Sequence, residues 1–235
     1  MKAMPRKKPS VVIFDMDGTS VRHLNPHLID FMEWMDNQSY RLNSVLTWAF
    51  KRGAKGNPLQ DWDAYEQRKK PRLLVHRAMH SLRRKEVDQI VEPCPHIYDV
   101  LDLLHSHDVP MGLASNGLGR GYGHEILETF DLKQYFKATV FREDIHKAKP
   151  NPESILLTLK KMDVQLTKDD IVWYVGDRSK DVKAAIEADK HLPCTVVPIA
   201  YTPGAAIKAL KESLTPDHII TSYLDMRHRL EPMFK

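Results

Sequence analysis

The fold of this 235-residue chain is decided by the sequence SVVIFDMDGT at positions 10–19. Its first half is a short β-branched and aromatic run, which predicts a buried strand, and its second half places Asp15 and Asp17 at the carboxyl end of that strand. Ligands bind at the carboxyl ends of the strands in an open α/β sheet, and unpaired buried carboxylates are costly, so this pair predicts a cation site. The alternative is that both aspartates only cap a turn, since Asp and Gly are ordinary turn residues.

An α/β pattern extends through the second part of the chain, from Glu92 onward. Short apolar segments alternate there with segments of helical length, which is typical of a parallel sheet covered by helices. The predicted strands after the first are 109–114, 138–141, 171–175, 195–199 and 218–220. The predicted helices are 96–107, 122–130, 152–162, 178–188, 203–210 and a last one from Ser222. The sequence therefore predicts an α/β fold, with a doubly wound, Rossmann-like parallel sheet.

Residues 21–90 interrupt this alternation and show no evident strand pattern. Their apolar spacing predicts helices instead, and prolines and glycines separate the segments. The predicted helices are 26–37, 40–52, 61–69 and 72–85. We therefore expect a core domain made of residues 1–20 and 91–235, with residues 21–90 inserted as a small helical cap domain.

Composition is that of a globular protein, with 42% hydrophobic and 28% charged residues. No apolar run approaches the roughly 20 residues of a membrane span, and the basic N-terminus runs into the first strand without a signal-peptide pattern. We therefore expect a cytoplasmic protein. Cys94 and Cys194 are far apart in sequence, which favours reduced structural thiols over a disulfide or a metal site.

Charge is unevenly distributed along the chain, whose net charge is +4. Residues 1–92 contain 17 Lys and Arg against 11 Asp and Glu, whereas residues 93–235 contain 18 against 20. The first part is expected to prefer anionic partners, among which nucleic acid and anionic metabolites remain alternatives at this point.

Polar residues also follow other predicted strands or precede the helices that come after them. Ser115-Asn116 follows the strand at 109–114, and Gly176-Asp177-Arg178-Ser179-Lys180-Asp181 follows the strand at 171–175. Lys149-Pro150 precedes the helix at 152–162. Residues suited to phosphate and cation binding therefore recur at one edge of the predicted sheet.

These four segments, in this order, resemble the motifs of the haloacid dehalogenase superfamily. The likeness is to its phosphatases with a helical cap inserted after the first strand, of the phosphoglycolate phosphatase type. It covers both parts of the predicted core, about two thirds of the chain. The resemblance implies a Mg²⁺-dependent phosphatase that hydrolyses a small phosphate monoester through an aspartyl-phosphate intermediate.

The resemblance also implies a role for each motif residue. Asp15 would be the nucleophile, Asp17 the general acid and base, and Lys149 the cation that neutralises phosphate and carboxylates. The implied metal residues are Asp15, Asp17 through its main-chain carbonyl, Asp177 and, through water or in a second layer, Asp181. The implied phosphate-binding residues are Thr19, Ser115, Asn116 and Lys149.

The basic segment around Arg52 and Lys55 is our candidate for choosing the substrate, because an inserted cap can close over the site. A solvated positive surface is the alternative interpretation. If the segment does select, the substrate carries a second negative group beside its phosphate.

Other functions are compatible with the same sequence. A sugar-phosphate mutase of the superfamily shares the four motifs, and a nucleic-acid-binding module could use the basic tail and cap. An inactive scaffold that keeps the fold is a third alternative. We expect a small phosphorylated metabolite as the partner, neither a membrane nor nucleic acid, and a monomer or homodimer.

Overall fold

The computed structural model describes residues 7–24 and 87–235 of the chain. Five of its strands form one parallel sheet in the order β5-β4-β1-β6-β7. Their bounds are β1 Val11–Phe14, β4 Met111–Ala114, β5 Phe136–Val140, β6 Ile171–Gly176 and β7 Thr195–Ala200. The first strand is therefore central, and the sheet confirms the predicted α/β class.

The sheet is buried on both faces, which explains why β1 reads as an uninterrupted apolar run. Its side chains alternate between two core clusters. Val12 and Phe14 belong to one cluster, and Val11 and Ile13 belong to the other. The strand pairs with β4 on one side and β6 on the other, so the segment after Phe14 lies between the ends of both neighbours.

Helices cover the two faces of the sheet. Their bounds are α1 Ile97–Ser106, α2 His124–Thr129, α3 Glu153–Met162, α4 Ser179–Asp189, α5 Pro203–Lys211 and α6 Tyr223–Leu230. Buried residues of α1, α2 and α6 join the Val12 cluster, and those of α3 and α4 join the Val11 cluster. No helix within 7–24 or 87–235 is long and apolar enough to cross a membrane.

A second, two-stranded sheet consists of β2 Val21–His23 and β3 Val91–Pro93. Neither strand was predicted. Each has three residues, and the two pair with each other across the whole intervening segment, so no local periodicity indicates them. Cys94 and Cys194 are free and buried, as expected for structural thiols.

Most predicted element bounds differ from the structure by one or two residues, and two segments differ in a way that the local backbone explains. The helix predicted to begin at Tyr122 begins at His124, because Arg120 is extended and Gly121 has φ 74°, which no α-helix accommodates. The strand predicted at 218–220 is a 3₁₀ turn at Pro216–His218 followed by a single bridge from Ile219 to Ala200. Proline starts that turn because it sets φ for a helical first residue.

The predictions made for residues 25–86 lie outside the described residues. They include the four helices expected within 26–85 and the substrate-selecting role of Arg52 and Lys55. The division into core and cap domains likewise stays a prediction.

Candidate active site

The segment after β1 folds back on itself and holds Asp15 at the carboxyl edge of the sheet. The Asp15 amide donates to the carbonyl of Val175 on β6 at 2.9 Å, which continues the β1–β6 pairing by one residue. The Ser20 hydroxyl donates to the Asp15 carbonyl at 2.6 Å, and the hydroxyl of the buried Tyr223 donates to the Thr19 carbonyl at 2.8 Å. The backbone around the two aspartates is therefore fixed from both sides.

Three carboxylates converge at this edge. Asp15, Asp177 and Asp181 each offer an oxygen, and these atoms lie within 4.8 Å of one another. Asp15 follows β1, and the other two residues follow β6, the neighbouring strand. Carboxylate oxygens are the ligands that Mg²⁺ prefers in proteins, so the donor set fits a hard divalent cation.

Lys149 lies among these three carboxylates and contacts two of them. Its Nζ is 2.6 Å from Asp15 Oδ1 and 2.7 Å from Asp181 Oδ1, and both ion pairs are buried. The same nitrogen donates to the hydroxyl oxygen of Tyr174 at 2.8 Å and to the carbonyl of Ala114 at 3.1 Å. The lysine therefore bridges the residues that follow β1 and β6.

Burial and crowding shift the titration of these groups. Burial is the main cause that raises the pKa of Asp15 to about 7; Lys149 opposes the shift, and Asp181 and Asp177 add to it. Burial also raises the pKa of Asp177 to about 6, with a further contribution from Asp181. For Lys149, burial lowers the pKa but Asp15 and Asp181 outweigh it, so its pKa lies well above its usual range. A bound cation would favour the ionised carboxylates.

Asp177 is held by residues from two segments, the turn after β1 and the residues that follow β7. The Thr19 hydroxyl donates to its Oδ1 at 3.4 Å, and the Thr202 hydroxyl donates to its main-chain carbonyl. Gly18 has φ 81°, and a Cβ at this position would lie 2.3 Å from Asp177 Oδ2. The turn after β1 therefore needs glycine both for its backbone conformation and for the approach of this carboxylate.

Asp181 accepts hydrogen bonds that tie it to its own helix. Its Oδ2 accepts from the Arg178 amide at 3.0 Å at the start of α4, while Oδ1 contacts Lys149 and the Tyr174 hydroxyl. A Cβ on Gly176 would lie 2.3 Å from the Asp181 Cβ, so the end of β6 and the start of α4 approach closely. Asp181 therefore orients Lys149 and is also one of the three clustered carboxylates.

The Asp17 side chain lies next to Tyr122 and Gly117, two residues that follow β4. The Tyr122 hydroxyl donates to Asp17 Oδ1 at 2.7 Å. Asp17 Oδ2 lies beside Gly117: a Cβ on that glycine would be 3.1 Å from Oδ2 and 3.2 Å from Ser115 Oγ. Asp17 and Ser115 therefore flank the same small space next to the end of β4.

Asn116 contacts the backbone of Lys149. Its Oδ1 accepts from the Lys149 amide at 2.9 Å, and its Nδ2 donates to the Lys149 carbonyl at 3.3 Å. The peptide bond between Lys149 and Pro150 is cis. The predicted phosphate-binding asparagine thus fixes the residue that carries the buried ammonium group.

The structure brings together the motif residues predicted from all four segments. Lys149 contacts Asp15 and Asp181 directly. Asp177 lies close to both of these carboxylates. The side chain of Thr19 is fully buried against Asp177, and Ser115 is buried with its Oγ accepting from the Gly117 amide at 2.9 Å.

Sequence reasoning missed two tyrosines, Tyr122 and Tyr174. Tyr174 lies in β6 with its ring in the core, and its hydroxyl reaches Lys149. In sequence it is one of several apolar residues of a buried strand, so nothing separates it from an ordinary core aromatic. The one available signal for Tyr122 is its place in the glycine-rich segment directly after Ser115-Asn116.

Comparisons with known proteins agree with the family resemblance seen in the sequence. Residues 12–192 match the model of the haloacid dehalogenase-like hydrolase family. The chain is 26% identical over 216 residues to pyrophosphatase PpaX of Oceanobacillus iheyensis, which covers 92% of this chain and 94% of that one. It is 28% identical over 203 residues to a phosphoglycolate phosphatase of Salmonella typhi, covering 82% of this chain and 74% of the relative.

Other relatives match over a shorter length. A phosphoglycolate phosphatase of Salmonella typhimurium is 31% identical over 132 residues, which are 56% of this chain and 48% of that enzyme. Among solved structures, a hydrolase of the same superfamily from Ehrlichia chaffeensis superposes with a TM-score of 0.58 at 20% identity and covers 97% of this chain and 99% of its own. A hydrolase from Entamoeba histolytica superposes with a TM-score of 0.57 at 16% identity, covering 96% and 99%. These structural likenesses concern the fold.

Proposed function

The chain belongs to the haloacid dehalogenase-like hydrolase family as a phosphatase, and from this premise we propose that it hydrolyses a small phosphate monoester with Mg²⁺ through an aspartyl-phosphate intermediate. The observation that carries the proposal is the position of Asp15. Its carboxylate is buried at the carboxyl edge of the sheet, 2.6 Å from Lys149 and grouped with Asp177. A nucleophile needs such a fixed and charge-balanced position next to a cation site.

In the first step, a carboxylate oxygen of Asp15 attacks phosphorus while the bond from phosphorus to the leaving oxygen breaks. Asp17 gives its proton to the leaving oxygen, which departs as an alcohol. In the second step, Asp17 takes a proton from water, whose oxygen attacks phosphorus. The bond between phosphorus and Asp15 then breaks and inorganic phosphate leaves, which restores both aspartates.

The negative charge of the transferring group needs donors around it. Lys149 and the Ser115 hydroxyl are the candidate donors, with main-chain amides after β4 in support. Mg²⁺ would be held by Asp15, Asp177 and the Asp17 carbonyl, and would neutralise charge on the phosphoryl oxygens. Asn116, Thr19 and Asp181 contribute by holding Lys149 and Asp177 in place.

The test is phosphate release by the purified full-length protein, with Mg²⁺ and with chelator. The panel should contain p-nitrophenyl phosphate, phosphoglycolate, pyrophosphate and several sugar phosphates, because relatives are named as a phosphoglycolate phosphatase and a pyrophosphatase. We expect Mg²⁺-dependent release of inorganic phosphate from at least one of them. Conversion of a sugar phosphate into its isomer without phosphate release would indicate a mutase instead.

Asp15→Asn is the decisive variant. It removes the nucleophilic oxygen but keeps the shape of the side chain, so we expect a loss of turnover of at least about 10⁴-fold with the fold retained. Mass spectrometry of rapidly quenched protein should find one phosphoryl group on wild type and none on the variant. Substantial turnover by the variant, or no hydrolysis of any ester by wild type, would contradict the proposal.

Substrate choice is proposed to depend on the basic segment that contains Arg52 and Lys55. The double substitution to Ala is expected to raise KM for a substrate with a second anionic group, because a charge that holds that group is lost. KM for p-nitrophenyl phosphate, which lacks such a group, serves as the control. An equal change in both constants would argue against selection by this segment.

A further inference from the structure

A tyrosine that no motif contains makes a direct hydrogen bond to the predicted general acid. Tyr122 follows β4 and Asp17 follows β1, yet the Tyr122 hydroxyl donates to Asp17 Oδ1 at 2.7 Å. The tyrosine side chain is largely buried, with 9% of the residue exposed, and the hydrogen bond itself is partly buried. A hydrogen bond from a hydroxyl to a carboxylate in such a place is strong and directional.

The segment that carries Tyr122 is fixed by its own contacts. Glu143, just after β5, accepts from the Gly119 amide at 2.9 Å and from the Arg120 amide at 2.8 Å. The Arg142 amide donates to the Gly117 carbonyl at 2.9 Å. The turn that links Ser115 to α2 is therefore attached to the neighbouring strand end, and it presents Tyr122 at a defined place.

The two oxygens of Asp17 have different surroundings. Tyr122 donates to Oδ1, while Oδ2 lies on the side of Gly117 and Ser115. A methyl group in place of a Gly117 hydrogen would lie 3.1 Å from Oδ2 and 3.2 Å from Ser115 Oγ. Because Gly117 has no side chain, no Cβ from this position crowds Asp17 Oδ2 or Ser115 Oγ.

We propose that Tyr122 is a positioning residue that orients Asp17 so that Oδ2 faces the leaving oxygen of the substrate. This inference rests on the proposed phosphatase function. The hydrogen bond from Tyr122 fixes the carboxyl group at Oδ1 and thereby turns Oδ2 toward Gly117 and Ser115. In the proposed reaction the transferable proton leaves from Oδ2. The proton is then on the side of Ser115, where the phosphoryl group is expected.

The inference makes a prediction that depends on the leaving group. An alkoxide leaves poorly unless it is protonated, whereas nitrophenolate leaves without a proton. Tyr122→Phe removes only the hydroxyl, so it should lower kcat/KM for an alkyl phosphate by about 30-fold or more and for p-nitrophenyl phosphate by about threefold, since general acid catalysis contributes 10²–10⁴-fold. A plot of log kcat/KM against the pKa of the leaving alcohol or phenol should become steeper.

Tyr135→Phe is the matched control. Tyr135 donates to Asp102 Oδ1 at 2.6 Å on the exposed surface, so the substitution removes the same kind of hydrogen bond away from the site. It should leave the slope of the plot at the wild-type value. Thermal unfolding of both variants checks that each is folded.

The outcomes separate the two proposals. A steeper slope for Tyr122→Phe alone supports the positioning role. An equal loss on every substrate, or no loss on alkyl phosphates while wild type turns them over, would overturn the role of Tyr122 and leave the phosphatase function standing. If wild type hydrolyses no phosphate ester, both proposals fail together.

Discussion

At the scale of single residues, Lys149 connects several groups of the site. It is an ammonium group in a fully buried position, and such a charge is tolerated only when it is paired and hydrogen-bonded. Asp15, Asp181, Tyr174 and the Ala114 carbonyl supply these partners. The same residue therefore serves stability and, in the proposed reaction, charge neutralisation.

Lys149→Met is expected to destabilise the protein and to abolish activity. The substitution leaves buried carboxylates without their cation, and breaking a buried pair by removing one partner costs about 3–5 kcal/mol. Urea unfolding at pH 8 with chelator measures this loss. Metal is removed because a bound cation would offset it.

The control for this substitution is Lys133→Met. Lys133 pairs with Glu128 at 3.0 Å, but both side chains are largely exposed. A surface pair contributes less than about 1 kcal/mol, so this variant should unfold close to wild type. Equal destabilisation by the two substitutions would show that the buried position of Lys149 has no special importance.

At the scale of elements, the turn between β1 and β2 determines where Asp177 can lie. Gly18→Ala is expected to cost about 1–2 kcal/mol for a left-handed residue with a Cβ. It should also displace Asp177, because the new Cβ would lie 2.3 Å from its Oδ2. A titration of activity with Mg²⁺ should therefore require more metal for half-maximal activity.

Gly204→Ala, in the first turn of α5, provides the comparison. This glycine has no positive φ, and the nearest atom to its new Cβ would be Thr202 Oγ1 at 3.9 Å. Alanine in a helix is favoured over glycine by about 1 kcal/mol, so the variant should be as stable as wild type or more so. An unchanged Mg²⁺ requirement in Gly18→Ala would show that the turn does not set the position of Asp177.

Strands of the central sheet could be predicted because the apolar pattern that indicates each strand lies within its own residues. The apolar run at Val11–Phe14 and the run that ends at Gly176 are bounded by polar and glycine residues, and both strands are found there. The short strand β2 could not be predicted, since it depends on β3 at the far end of residues 24–90. Pairing at that distance leaves no periodic pattern in either strand.

The same distinction applies to the candidate site. Residues that follow strand ends or precede the next helix were expected to converge, and Asp15, Lys149 and Asp177 do lie together. Contacts made by side chains from within a strand or from a turn carry no such rule. Tyr174 and Tyr122 look like core aromatics in sequence, and only the fold brings their hydroxyls to Lys149 and Asp17.

At the scale of the whole molecule, the clustered carboxylates of Asp15, Asp177 and Asp181 should make stability depend on both pH and metal. In the metal-free protein the pKa is raised from 3.8 to about 7 for Asp15 and to about 6 for Asp177, chiefly by burial. The folded state then binds more protons than the unfolded state between about pH 4 and 7, so the free energy of unfolding falls as pH rises through this window. Lys149 stays charged throughout, because its pKa lies well above its usual range.

Mg²⁺ should reverse this trend, since it binds the ionised carboxylates and competes with protons. The thermal unfolding temperature in chelator is expected to be lower at pH 8 than at pH 5.5, and the increase on adding Mg²⁺ to be larger at pH 8. A metal concentration 100 times its dissociation constant would add about 2.7 kcal/mol to the free energy of unfolding. In Asp177→Asn the increase with Mg²⁺ should largely disappear. A Mg²⁺ effect of equal size at both pH values, or metal-free stability that rises toward pH 8, would contradict the view that these buried carboxylates form one cation site.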